Sequence, residues 1–297
     1  MKKINVAIVG YGNIGKFAAE AVQSAPDMEL AGVIRRGGNR PVGLVDVPVA
    51  DSLAKLKEVE AVMLCVPTRN VEENAEKYLK MGINTVDSFD IHNDIWGLRT
   101  RLNERAKKHN AVSVVAAGWD PGSDSVVRAL LQACAPMGIT YTNFGPGMSM
   151  GHSVAAKAID GVADALSITM PLGAGQHSRM VYVQLEEGAS LENVTKTLKA
   201  DPYFCNDQTY VAAVEDVKAL ADMGHGVHMI RKGVSGKTHN QLFEFSMRVN
   251  NPALTAQVMT ACVRAGFKQQ PGAYTMVELP VIDLLYGDKE ALVRSLV

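Results

Sequence analysis

The hexapeptide GYGNIG, residues 10–15, constrains the fold of this chain more than any other stretch. It closes an apolar, β-rich run (NVAIVG, residues 5–10) and opens directly into a helical pattern, NIGKFAAEAVQSA. Gly10 permits a tight turn, Gly12 lets backbone approach a pyrophosphate, and Gly15 lets helix and strand pack closely, with the helix N-terminus turned toward phosphate. The strand–turn–helix setting makes an otherwise weak pattern a dinucleotide site. Its expected contacts run from Gly10 through Tyr11, Gly12, Asn13 and Ile14 to Gly15.

The rest of the first half keeps that rhythm. Apolar runs at residues 28–36, 59–68 and 83–88, and the segment AVSVVAAGWD, alternate with the helical VEENAEKYLKMG and a charged helix over about residues 94–109. Such alternation predicts an α/β fold with an N-terminal Rossmann-type, doubly wound parallel sheet. After Asp120 a helix over about residues 123–134 leads into GITYTNFGPGMSMGHS and then into strand-like runs: DALSITMPL, SRMVYVQLEEG, TYVAAVED, GVHMIRKG and NQLFEFSMRVN. Their close spacing predicts an α+β substrate and dimerisation domain on a mostly antiparallel sheet. The tail from Pro252, PALTAQVMTACVRAG, returns to helix. The expected division is a dinucleotide-binding domain at 1–119, a substrate-binding and dimerisation domain at 120–251, and a helical segment at 252–297 packing back on the first.

A chain of 297 residues suits two domains. Its 30 Lys and Arg nearly balance 31 Asp and Glu with no block of either sign. Nucleic acid and membrane surfaces therefore gain no support as partners, and a small molecule is expected. No apolar run reaches the roughly 18 residues of a membrane span, and the N-terminus lacks the small-residue pattern of a cleaved signal. Cys65, Cys134, Cys205 and Cys262 are too scattered for a zinc site or a redox pair. A cytoplasmic protein with reduced cysteines and no metal is expected.

The second apolar run ends VIRRGGNR, with Arg35 and Arg36 where an NAD site usually carries an acid. A guanidinium there forms forked bonds to a 2′-phosphate, so the expected cofactor is NADP. Ligands of open parallel sheets lie outside the carboxyl ends of the strands. Cys65, Pro67 and Thr68, then Ser88 and Asp90, then Trp119 and Asp120 stand at three such ends and are expected to rim one crevice beside the nicotinamide. Read blandly, Asp90 and Asp120 are helix caps or turn formers and Trp119 packs at a domain junction. Two carboxylates beside a nicotinamide suit an ammonium-bearing substrate and an oxidative deamination, which also needs a donor for the substrate carboxylate. Arg179, His225 and the pair Asn250–Asn251 are the candidates in the second half. His228 competes with His225, and their odd separation puts them on opposite faces of a strand.

The segments INVAIVGYGNIG with VIRR, VDSFDIH, AAGWDPGSDSVVR, FGPGMSMGHS and MGHGVHMIRKG together resemble the meso-diaminopimelate dehydrogenase family over essentially the whole chain. The resemblance implies NADP-dependent, reversible oxidative deamination of the D-centre of meso-2,6-diaminopimelate to L-2-amino-6-oxopimelate and ammonia, with the substrate bridging two domains. Carried onto this chain, it implies that Asp90, Trp119 and Asp120 hold the reacting centre, with Phe144, Met150 and Gly151 beside it. Thr169, Arg179, His225 and Asn251 are implied at the far centre. Met150 departs from the Gln of some relatives. The layout also admits a dihydrodipicolinate-reductase-like enzyme, but GHSVAAK carries one His where that family has an HH-rich segment. A sugar dehydrogenase would show EKP in place of VPTRN, and a non-catalytic NADP sensor would need neither aspartate. A homodimer is expected from the apolar residues at both alternating positions of SRMVYVQLEEG and QLFEFSMRV.

Overall fold

The structure is a computed structural model that describes residues 2–42, 44–220 and 224–297. Strands β1 (Ile4–Val9), β2 (Met28–Ile34), β3 (Val49–Ala50), β4 (Ala61–Leu64), β5 (Asn84–Asp87) and β6 (Val112–Val115) alternate with helices α1 (Asn13–Ser24), α2 (Val71–Leu79) and α3 (Ile95–Lys108). The strands are largely apolar because most of both faces is covered, as parallel sheets require. In β1, Val6 and Ile8 enter one core while Ala7 and Val9 enter the other; in β4, Met63 and Val62 divide the same way. Each helix offers one stripe at helical spacing. Ala18, Ala19 and Val22 of α1 pack in the first core, and Ala75 and Leu79 of α2 join Leu98, Leu102 and Ala106 of α3 in the second.

Helix α4 (Ser123–Cys134) follows, and the second compact unit spans Leu130–Asn251. It holds β7 (Met137–Phe144), β8 (Gly147–Met148), α5 (Met150–Lys157), β9 (Val162–Gly173), β10 (Gln176–Leu185), α6 (Leu191–Ala200), β11 (Gln208–Ala213), β12 (His225–Ser235) and β13 (Thr238–Val249). The strands form two sheets where the sequence suggests one, with orders β11-β10-β9-β8 and β13-β12-β7. All pairs are antiparallel except β10 with β11, which are parallel because α6 carries the chain back across the sheet. The two-sided apolar pattern of β10 is also accounted for within the unit. Val181 and Val183 pack with residues of α5 and α6, and Met180 and Tyr182 pack around Leu166, Ile168 and Val217.

Helix α7 (Asn251–Gly266), strand β14 (Gly272–Thr275) and helix α8 (Lys289–Leu296) complete the chain, and Pro252–Val297 belongs to the first compact unit together with Met1–Ala129. The tail read as helix thus also supplies a strand. β14 pairs in parallel with β6 and makes the sheet order β14-β6-β5-β4-β1-β2-β3. Ala256, Met259, Cys262 and Val263 of α7 fill the first core. The strand order reverses between β1 and β4, the switch point at which open α/β sheets bind ligands. No helix among the described residues is long and apolar enough to cross a membrane.

Candidate active site

The turn after β1 is built so that only glycine serves at two of its three positions. Gly10 has φ +92°, and a Cβ there would lie 2.3 Å from the carbonyl oxygen of Cys65 at the end of β4. A Cβ on Gly15 would lie 2.3 Å from the carbonyl oxygen of Gly10, so α1 packs directly on the turn. At Gly12 a Cβ would meet no protein atom within 4 Å. The backbone there is open to approach, and Gly12 is the N-cap of α1, whose first turn carries no acid. A cleft of about 520 Å³ opens here; Gly10, Tyr11, Gly12, Arg35, Arg36, Cys65 and Pro67 line it, with Asp51 and, from α2, Asn74 and Lys77. Asn13 opens α1, while the side chains of Ile14 and, in part, Tyr11 pack on the first core, so Ile14 can serve a ligand through its backbone only.

Beyond the neighbouring strands lies an acidic cluster. The hydroxyl of Thr68, after β4, donates to Asp90, after β5. The half-buried Asp120, after β6, is pushed up to about 8, first by burial and then by the Asp124 carboxyl, with Asp90 adding to the effect and Arg128 opposing it. The three strand ends therefore bring Thr68, Asp90 and Asp120 into one electrostatic neighbourhood. Ser88 is half-buried between them in sequence, and Trp119 is buried. The loop carrying Trp119 and Asp120 is tied by the amides of Ser123 to the Gly118 carbonyl and of Asp124 to the Trp119 carbonyl, at 3.1 and 2.9 Å. Gly122 has φ +146°, and a Cβ there would overlap the Gly118 carbonyl at 1.8 Å.

Two residues behind this cluster carry no motif and are absent from the sequence reading. Asp87, fully buried at the end of β5, accepts from the amides of Phe89 and Ala116 at 2.9 and 3.1 Å through one oxygen, while its other oxygen has no partner. It pins both loops, and burial pushes it up to about 6. Asp124, also fully buried, accepts from Arg128 at 2.8 Å.

In the second unit Thr169 of β9 and Arg179 of β10 are cross-strand partners, and the Arg179 guanidinium donates to the Thr169 hydroxyl and, at 2.7 Å, to Asp207. Asp207 is a further residue without a sequence signal, 28 residues along the chain from Arg179. His225, at the start of β12, is buried; burial lowers its pKa, as does the nearby charge of Arg179, against the opposing effect of the Gly226 backbone. Phe144 ends β7 in an edge-on contact with His177, Met150 and Gly151 open α5, and Asn251 opens α7.

Residues 4–86 match the family described as oxidoreductase family, NAD-binding Rossmann fold, and residues 118–175 match the diaminopimelic acid dehydrogenase C-terminal domain. Fold and cleft together thus define an oxidoreductase with a nicotinamide-nucleotide-binding Rossmann domain. The chain is 61% identical to the meso-diaminopimelate D-dehydrogenase of Bacteroides fragilis over the full length of both. Among solved structures it is similar to C. glutamicum DAP dehydrogenase in complex with DAP, at 29% identity and a TM-score of 0.89 over 100% of both chains. It is also similar to an engineered D-amino acid dehydrogenase bound to NADP+, at 28% identity and a TM-score of 0.85, again over 100% of both. The chain belongs to the meso-diaminopimelate D-dehydrogenase family.

Proposed function

We propose that this chain is an NADP-dependent dehydrogenase that oxidatively deaminates the D-centre of meso-2,6-diaminopimelate, giving L-2-amino-6-oxopimelate and ammonia. The observation that carries the reading is the placement of Asp90 and Asp120 on the loops after the adjacent strands β5 and β6 of the unit that holds the nucleotide cleft. Two carboxylates there match an ammonium at the carbon to be oxidised, and a motif serving only as a turn would not need both. The family and the DAP-bound relative support the substrate.

NADP would be held by the turn from Gly10 to Gly15 and by Arg35 and Arg36, with Cys65, Pro67, Thr68, Ser88 and Asp90 on the nicotinamide side; bound, it accepts the hydride. The glycine cradle and the paired guanidinia fit that group. The chain's own part is orientation and proton handling. Asp120 and Asp90 fix the amine, Trp119 walls the reacting centre and excludes water, and Phe144, Met150 and Gly151 bound it. Arg179, held by Thr169 and Asp207, binds the distal carboxylate, with His225 and Asn251 as polar partners. Adding NADP+ and meso-diaminopimelate to the protein should raise NADPH absorbance and release ammonia in equal amount. Absence of both would overturn the reading.

A further inference from the structure

We infer that His152 is a positioning residue: through Asp207 it holds the Arg179 guanidinium in the orientation that receives the distal carboxylate of the substrate. The inference rests on the role proposed above for Arg179 and goes beyond it to the histidine of the GHS segment, which that reading leaves unused.

His152 lies in the first turn of α5, which packs on the face of β10 that carries Arg179. Val181 and Val183 share that face by strand alternation and pack with Ala156 of α5. The guanidinium gives Nε to Asp207 Oδ2 at 2.7 Å and Nη1 to the Thr169 hydroxyl, which leaves Nη2 for a ligand. A single bond to a carboxylate lets the pair pivot, where a forked pair would not. His152 limits that freedom, because its Nε2 stands 4.0 Å from the same Oδ2. The ring is itself fixed. Its Nδ1 lies 2.9 Å from the Ser149 hydroxyl, and the rings of Tyr203 and Phe204 meet it edge-on with centroids 5.4 and 5.3 Å away. Ser149 is pinned in turn, its amide donating to the Ser167 carbonyl at 2.8 Å and its carbonyl accepting from the Ser153 hydroxyl at 2.7 Å. Tyr203, Phe204 and Asp207 all belong to the segment between α6 and β11, so His152 steadies both the carboxylate and the loop that presents it. Which ring nitrogen carries the proton follows from charge. With the Ser149 hydroxyl donating to Nδ1, Nε2–H turns its positive end to the carboxylate, whereas the other tautomer sets a lone pair against it. Burial, aided by the Arg179 charge and opposed by Asp207, pushes the ring down to about 4, which agrees with a neutral imidazole at neutral pH.

Two variants separate packing from orientation. His152→Phe keeps a ring between Tyr203 and Phe204 and removes the N–H, while His152→Gln loses the ring and keeps an N–H of similar reach. In the protein without substrate, the nitrogen resonance of the Arg179 Nε–H, identified by its loss in Arg179→Met, should hold its position in His152→Gln and move to that of a free guanidinium in His152→Phe. With NADP+ present, His152→Phe should raise KM for meso-diaminopimelate by roughly tenfold or more with kcat changed less than about threefold, and His152→Gln should restore most of the loss. In an Arg179→Met background His152→Phe should add less than about a twofold loss in kcat/KM, because the two residues act through one guanidinium. A packing role gives the reverse order, with Phe tolerated and Gln damaging, and overturns the inference. So does an unmoved Arg179 resonance in folded His152→Phe, or a wild-type ring with its proton on Nδ1, which needs no variant to fold. The expected Arg179 resonances in a protein that does not turn over meso-diaminopimelate would overturn the proposed function and leave the hold of His152 on Arg179 standing.

Discussion

Asp120 combines a turn-forming position, partial burial and two acidic neighbours, and its charge is what the proposed chemistry uses. Asp120→Asn keeps the shape of the side chain but removes the charge that fixes the amine; misplacement by about 1 Å costs on the order of a hundredfold in rate. The expected outcome is a loss of at least that size in kcat/KM with NADP affinity little changed, read by steady-state kinetics and cofactor titration. Asp87 acts one layer further in. Asp87→Ala leaves the amides of Phe89 and Ala116 without their acceptor and should cost about 1–3 kcal/mol in denaturant unfolding. Its pH signature follows from linkage: the folded pKa of about 6 lies above the unfolded value, so the folded state binds more protons between them. The stability of the wild type relative to Asp87→Asn should therefore fall as pH rises through that window and level off above it. Asp90, Trp119 and Asp120 stand out as candidates in sequence because each follows a strand of the parallel sheet within a few residues. Asp87, Asp124 and Asp207 do not, since a lone aspartate at a strand end, a helix start or a turn is common; burial reveals the first two, and the bond from Arg179 reveals the third.

At the scale of elements, the strand-turn-helix units announce themselves through period and glycine. The arginine pair sits on the short connection after β2, where Arg35 is tied beside β3 by the hydrogen bond its amide N–H donates to the Ala50 carbonyl at 2.9 Å. Replacing both arginines with neutral residues should remove charge-assisted bonds worth about 1.5–3 kcal/mol each and narrow the preference for NADP over NAD, measured as the ratio of the two kcat/KM values. An unchanged ratio would mean the 2′-phosphate is held elsewhere. The first half was legible because a parallel strand is apolar on both faces and its helices amphipathic. The second half was less so. Helix α5 begins inside a glycine- and methionine-rich run, α6 follows a strand by a short turn, and the parallel pairing of β10 with β11 depends on a crossover that no local pattern encodes.

For the molecule as a whole, the assembly proposal changes its footing. The excess apolar residues of β10 are consumed within their own unit, so a homodimer must draw on the sheet β13-β12-β7. There Ile139 of β7 and Leu242 of β13 flank Lys232 in one cross-strand row and stand 50% and 57% exposed. Isolated apolar residues need no explanation, whereas a row on an open sheet is the kind of surface a second copy covers. Light scattering at micromolar concentration should return twice the mass of the chain, and Leu242→Asp with Ile139→Asp should return the single chain. A wild type that stays single across that range would retire the dimer.

Strand β14 and helix α7 have a consequence in time. Domains generally form in the order in which the ribosome delivers them. Here residues 1–129 are made before the helix that fills one face of their sheet and the strand that covers β6, because α7 and β14 follow the second unit in the chain. The part of the chain made second is therefore the first whose residues are all available to fold. The nucleotide-binding unit, though begun earlier, is completed only after the second unit has been made, and until then the growing chain carries an open apolar sheet for chaperones to shield.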